Sequence, residues 1–173
     1  MQPIRVRAET PDDFSAIDVV NLSAFQGEGE AQLVGELRKS SVFIPDLSLV
    51  AELNGRIVGH VVLSRVKLAS GQGESEILAL GPMSVVPSQS HRGIGSELID
   101  AAVARAKPLC YNAIVVGGHP DYYLRFGFKS ATDWSVTCNL PIPDDALTAM
   151  ELVDGALSGG GKVEYPELFK ALF

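Results

Sequence analysis

The stretch LALGPMSVVPSQSHRGIGSELI, residues 78–99, reads as a strand, a loop and a helix in succession. Apolar residues from about Glu76 to Val86 predict a long strand. Ile94, Leu98, Ile99, Ala102 and Val103 recur at helical spacing and predict a core-facing helix over residues 93–107. Between the two lie Arg92, Gly93 and Gly95, where loop and first-turn N–H groups can converge on a phosphate.

Three phosphate-binding patterns can be compared with this loop. A P-loop needs Gly-Lys-Ser/Thr, but the one Gly-Lys pair, Gly161-Lys162, is followed by Val163, and Ala156 stands where the upstream glycine belongs. A dinucleotide fingerprint needs a third glycine where Leu98 stands, and the next strand ends in GGHP (117–120), with no acidic residue for a ribose. The pattern left is Q/R-x-x-G-x-G/A. Gly93 and Gly95 keep side chains away from a pyrophosphate and Arg92 adds positive charge. Gly-x-Gly before a helix is also an ordinary tight turn, so context has to decide.

Pro82 supplies that context. A proline removes a ladder donor and conflicts with a central strand, unless the strand bulges and parts from its neighbour. The amides of Met83, Ser84 and Val85 are then free for a ligand, and an extended pantetheine arm can lie there as a strand would. An edge strand is the plainer alternative. A second context is GHPDYYLRFGF, residues 118–128. Two adjacent tyrosines on a short helix cannot both face the core, so one hydroxyl, that of Tyr123 four residues before Gly127, is expected to reach the cleft. Phe126 and Phe128 are expected to pack.

The remaining elements follow from local signals. Ile4, Val6 and Ala8 alternate as a strand. Thr10, Pro11, Asp12 and Asp13 open a helix through Ile17 and Asn21 toward Phe25. A second helix fits Glu30 to Lys39, with Leu33, Val34 and Leu37 on one face. Asn54-Gly55 marks a type I′ hairpin inside residues 48–66. Residues 69–75, ASGQGES, read as flexible. NAIVVGG (112–118) is a buried strand, and the chain from Ser135 mixes short strands with turns. The order β-α-α-β-β-β-α-β-α-β predicts an α/β fold, a mixed sheet with helices on both faces.

The 173 residues, 46% hydrophobic, suit a single domain over 1–173. A net charge of −7 argues against a nucleic-acid partner, while an acidic cleft would attract a cationic amine. Cys110 and Cys138 have neither metal nor disulfide spacing and are expected as buried thiols; no metal site is expected. The N-terminus lacks the apolar core of a signal peptide, and the longest apolar run, residues 77–86, is too short to span a bilayer. A cytoplasmic protein with no membrane partner is expected.

Taken together, residues 48–66, 78–99, 118–128 and AMELVDGALSGGGKVEY (149–165) resemble the GNAT superfamily of acyl-CoA N-acyltransferases, in its YhbS-type branch of bacterial N-acetyltransferases. The resemblance covers nearly the whole chain. It implies a mostly antiparallel sheet splayed in the middle, a superfamily core over 1–128, and C-terminal strands over 129–173 that complete the sheet and the acceptor side. Acetyl-CoA, the implied co-substrate, would lie between the strand ending at Val86 and the NAIVVGG strand. The amides of Met83, Val85 and Val86 would meet its acetyl and pantetheine groups, and those of His91, Arg92, Gly93, Ile94, Gly95 and Ser96 its pyrophosphate. Two positions depart from the family: Ser90 stands where Gln or Arg opens the loop pattern, and HPD (119–121) replaces the Asn ahead of the tyrosine helix.

The implied reaction is acetyl transfer to a primary amine of a small molecule or peptide, directly, through a ternary complex. Tyr123 is in register with the family's usual general acid, and a phenol of pKa near ~10 can protonate a departing thiolate. For the base, Glu76, Glu28, Glu30, His119 and ordered water are candidates, Glu76 leading. His60, in mid-strand, reads as structural. A catalytically weak acyl-CoA-binding module is the alternative function. A monomer or homodimer fits either.

Overall fold

The structure, a computed structural model, describes residues 3–173. The chain forms two compact units: the described residues to Leu63 with Gly81–Ala106, and Ser64–Leu80 with Lys107–Phe173. Two long strands run through both, β3 (Arg56–Ser70) and β4 (Gly73–Val85). The nine strands of the sheet pair in the order β1-β2-β3-β4-β5-β8-β6, with β9 on β3 and β7 on β9.

In the first unit, β1 (Arg5–Ala8) pairs antiparallel with β2 (Phe43–Leu53), Arg5 opposite Glu52 and Ala8 opposite Leu49. Leu47 to Ala51 are buried without a break, so β2 is covered on both faces. Asn54 and Gly55 both take positive φ, 54° and 75°, which joins β2 to β3 as the sequence predicts. Helices α1 (Phe14–Ala24), α2 (Gly29–Arg38) and α3 (Ile94–Ala106) complete the unit, α2 and α3 both packing on β2. In α3 the buried stripe is Ile94, Leu98, Ile99, Ala102 and Ala106; Val103, expected inside, sits half-exposed one residue off that stripe.

Polar groups pin these helices to the sheet. The Arg7 guanidinium grips Asp13, at the start of α1, at 2.7 and 3.0 Å and reaches Glu52 at 3.1 Å. Asp13 also accepts from the Thr10 N–H at 2.8 Å, which closes the first turn. On the other side, Glu9 accepts from Arg38 of α2 at 2.7 Å and from Ser48, and lies 3.3 Å from His60 Nε2. His60 is fully buried, with Ser48 Oγ 2.9 Å from Nε2, and burial holds the imidazole below its usual pKa. The ring lies inside the Glu9–Ser48 cluster.

The second unit pairs β4 in parallel with β5 (Ala113–Gly117), and β5 antiparallel with β8 (Leu147–Glu151), which also takes β6 (Lys129–Ser130). In the tail, β7 (Val136–Cys138) runs parallel to β9 (Gly161–Glu164), and β9 antiparallel to β3. Only glycine suits position 161: φ is 129°, and a Cβ there would meet the Ala69 carbonyl oxygen at 2.5 Å. Residues 69–75 differ from the flexible loop expected. They form a tight hairpin in which Ser70 Oγ donates to Gly73 C=O and accepts from Gln72 N–H, and β9 pairs with the Lys67–Ala69 end of β3. Cys110 is also not the buried thiol expected. It is exposed, at φ 66°, in the turn between α3 and β5; Cys138 is half-buried.

Burial pushes the Glu9 carboxyl up, but the bonds from His60, Arg38 and Ser48 outweigh it and hold the group near 2, against 4.5 ordinarily. A depressed folded pKa gives stability that is present above about 4.5 and lost as pH falls through about 2. Glu9→Gln should therefore cost roughly 2–4 kcal/mol in urea unfolding at neutral pH. The difference from wild type should shrink as the pH is lowered through that window, and a constant difference would contradict this account.

Candidate active site

In the first unit the site begins where β4 ends. Val86 N–H donates to Val58 C=O at 2.9 Å. In an antiparallel pair, alternate residues turn their N–H groups to the same neighbour. Ser84 therefore faces β3 with Val86, while the Met83 and Val85 N–H groups point to the opposite edge. The recorded pairing along that edge, Leu78 with Ile114 and Ala79 with Val115, stops before the buried Pro82. By that alternation the Met83 and Val85 N–H groups turn away from β3, beyond the end of the β5 pairing. Val86 does not: its amide is committed to Val58, which corrects its place among the expected ligand donors. Ser84 is also removed as a donor, since its N–H faces β3 and its buried hydroxyl bonds Asn21 Oδ1 at 2.9 Å.

Beyond β4 the chain makes a turn of 3₁₀ helix at Pro87–Gln89, closed by Ser90, whose N–H and Oγ both donate to Pro87 C=O at 3.2 and 2.9 Å. Ser90 is thereby spent on local structure, which fits its departure from the family pattern. His91 and Gly93 take left-handed φ of 66° and 80°, and α3 starts at Ile94. Its first ladder bond runs from Glu97 N–H to Gly93 C=O at 3.0 Å. The N–H groups of Ile94, Gly95 and Ser96 therefore have no acceptor inside the helix. Beside them His91 and Arg92 are exposed, two basic side chains in an acidic chain. Loop amides, a helix N-terminus and an arginine make an anion cradle.

Sequence reasoning missed two residues that seat this segment. Asn21 of α1 is 1% exposed and holds Ser84. Gly59 of β3 lies so close to α3 that a Cβ would come within 3.0 Å of Ile94 Cγ2 and Leu98 Cδ1 and 3.2 Å of the Ser84 carbonyl oxygen. Asn21 carried a weak signal, a polar residue on the apolar face of α1. Gly59 carried one too, a glycine inside an apolar strand, which often marks a close approach.

In the second unit Tyr123 sits on α4 (Pro120–Leu124), 7% exposed, edge-on to Phe128 at 5.8 Å and Tyr122 at 5.2 Å between ring centres. Burial raises its phenol pKa, so the group is a protonated acid across the neutral range. Tyr122 is the outer ring of the pair, packed on Phe126 and under Arg125. Glu76 is exposed on β4. Glu28 is exposed and accepts from Gln32, Glu30 lies in the first turn of α2, and His119 takes a left-handed φ of 49° and accepts from Tyr122 N–H with its carbonyl. Among the described residues no group of three or more His, Cys, Asp or Glu is placed to hold a metal ion, and no helix is long and apolar enough to cross a membrane.

Known proteins share both the sequence and the fold of this chain. The family model for the acetyltransferase (GNAT) domain matches residues 45–130. The Escherichia coli K12 N-acetyltransferase YhbS is 32% identical over 95% of this chain and 97% of its own length, and N-acetyltransferase YjhQ from the same strain is 33% identical over 77% and 74%. The crystal structure of Escherichia coli YhbS in complex with CoA superposes with a TM-score of 0.90 at 30% identity, covering 98% of this chain and 93% of that one. A GNAT family acetyltransferase from Brucella melitensis in complex with acetyl-CoA gives 0.78 at 28% identity, over 98% and 99%.

The close seat of α3 on Gly59 predicts a cost for any side chain there. Gly59→Ala should lower stability by about 1–3 kcal/mol, the usual range for overpacking, read as a drop in thermal midpoint. Gly35→Ala, in open space within α2, should be neutral or stabilising. Equal effects at the two positions would mean that α3 has room to shift.

Proposed function

Because this chain belongs to the GNAT family of N-acetyltransferases, we propose that it binds acetyl-CoA and passes the acetyl group directly to a primary amine within a ternary complex. The acceptor is a small molecule or a peptide. We read residues 1–173 as one catalytic domain, since the family model draws on both compact units. The observation that carries the proposal is the run of donors at the end of β4 and the start of α3. By the alternation from Val86, Met83 and Val85 point their N–H groups off the edge of β4, and six to ten residues later His91, Arg92 and Gly93 lead into a helix N-terminus. An extended arm ending in a pyrophosphate matches that order of donors.

In this reading the amides from His91 to Ser96, with the Arg92 guanidinium, hold the pyrophosphate. The Val85 amide aligns the pantetheine. The Met83 amide donates to the thioester carbonyl, whose oxygen gains negative charge as the amine attacks. A new C–N bond forms, the C–S bond breaks, and the CoA thiolate leaves. Tyr123 gives that thiolate its proton; a phenol kept protonated by burial is suited to the step. The amine's own proton passes to solvent water, directly or by way of the exposed carboxylate of Glu76. Acidic surface charge favours a cationic acceptor.

Two variants test separate parts of the proposal. Gly93 has φ +80° with open space where a Cβ would go, so Gly93→Val both strains the loop and places a branched side chain on its open face. Acetyl-CoA Kd should rise at least about tenfold by calorimetry. Retained affinity in a folded variant would move the phosphate site elsewhere.

Tyr123→Phe keeps the ring and removes one oxygen. On an acceptor found by screening polyamines, aminoglycosides, amino acids and peptides, kcat should fall about 10²- to 10⁴-fold with little change in KM for acetyl-CoA. Tyr122→Phe should be much milder. Near-normal turnover by Tyr123→Phe would remove it as the acid, and a larger loss at Tyr122 would transfer the role. Tight acetyl-CoA binding with no turnover across the panel would favour an acyl-CoA-binding module.

A further inference from the structure

Asn21 is the polar residue of α1's buried face, between Ile17 and Val20 on one side and the end of the helix on the other. Both halves of its amide are used. Nδ2 donates to the Ile17 carbonyl at 3.2 Å, one turn back, and Oδ1 accepts from Ser84 Oγ at 2.9 Å. Ser84 is 4% exposed, so the bond is dry at both ends. An apolar pair would fill the same space. A buried polar pair adds direction, because it is satisfied only in one register of helix against strand.

Ser84 is the residue between Met83 and Val85. By alternation with Val86, whose N–H bonds Val58, its N–H turns to β3, and its carbonyl oxygen lies 3.2 Å from where a Cβ on Gly59 would stand. With the residue between them tied by its hydroxyl to α1, the Met83 and Val85 N–H groups have less freedom to tilt. The far end of α1 is braced too, by Arg7 on Asp13 and Glu52, so α1 gives Asn21 a rigid base.

We propose that Asn21 is a positioning residue: through the Ser84 hydroxyl it sets the direction of the Met83 and Val85 N–H groups on the acyl-binding edge of β4. The proposal rests on the reading of those N–H groups as acetyl and pantetheine donors. It separates two parts of one ligand. The pyrophosphate is assigned to the loop and α3, whereas the two hydrogen bonds of Asn21 go to Ile17 and to Ser84, in the segment that meets the acetyl carbonyl. Loss of Asn21 should therefore be felt by acetyl-CoA more than by CoA.

The test compares Asn21→Leu, Ser84→Ala, the double variant and Ser84→Thr by calorimetry with acetyl-CoA and with CoA, each alongside a thermal melt. Asn21→Leu and Ser84→Ala should each weaken acetyl-CoA about tenfold and CoA by a clearly smaller factor, since the Val85 contact to pantetheine is common to both ligands and the Met83 contact to the acetyl group is not. The double variant should match the singles, since all three cut one contact. Ser84→Thr keeps a hydroxyl and should restore the wild-type ratio of the two affinities. Ser84→Ala removes a single oxygen and keeps the test valid if Asn21→Leu does not fold.

A lower melting temperature with the acetyl-CoA to CoA ratio unchanged would overturn the proposal, leaving Asn21 a packing residue. So would a parallel loss for both ligands. If the wild type bound neither ligand, the functional reading itself would fail; if it bound both and the variants kept its ratio, this inference alone would fall.

Discussion

The end of β4 is held along one edge, where Val86 N–H bonds Val58 C=O on the β3 side, and much of the proposed site follows from that one-sided support. A strand that could pair along both edges would spend its Met83 and Val85 amides on a neighbouring strand. The pairing of β4 with β5 runs through Leu78 and Ala79, and beyond it Val86 N–H is held on the β3 side. Under the proposed function, the donors at Met83 and Val85 follow from ladder geometry and need no particular side chain.

Such an arrangement leaves a strand end supported along one edge, and the structure compensates from above and behind. Asn21 ties Ser84 to α1, and the absence of a side chain at Gly59 lets Ile94 and Leu98 settle against β3. Helices α1 and α2 are pinned by charge as well. Arg7 joins β1 to the start of α1 and to β2, and Glu9 joins β1 to α2 through Arg38 while also meeting Ser48 and His60. These contacts are largely buried and fully paired at the carboxylates, so their loss would leave uncompensated charge. In a chain of net charge −7, they put acidic residues to structural use where basic partners are few.

Legibility differed from element to element for identifiable reasons. The β2–β3 hairpin was readable because Asn54-Gly55 is a local signal, settled by φ preferences of two residues. Helix α3 was readable from its apolar period. The turn at 69–75 was not, because its order comes partly from β9, some ninety residues later, pairing with Lys67–Ala69. Cys110 was misjudged because its exposure depends on the path of one turn. At the site, the glycine loop and Tyr123 stood out as residue types in a pattern. Val86 could be excluded as a donor only by knowing which way its N–H turns.

What the sequence determined by itself was therefore what depends on near neighbours: the order of elements, the hairpin turn, the break at Pro82, the glycine-lined helix start, and the family to which such a combination belongs. Tertiary structure decided what depends on pairing between distant segments. It chose between alternate amides of β4, gave the Ser84 hydroxyl to Asn21 sixty-three residues away, and made Gly59 a contact surface for α3. The physical reason is the period of two in a strand. A shift of one residue in register exchanges every N–H between the two edges, and nothing in a strand's own sequence says which edge will be taken.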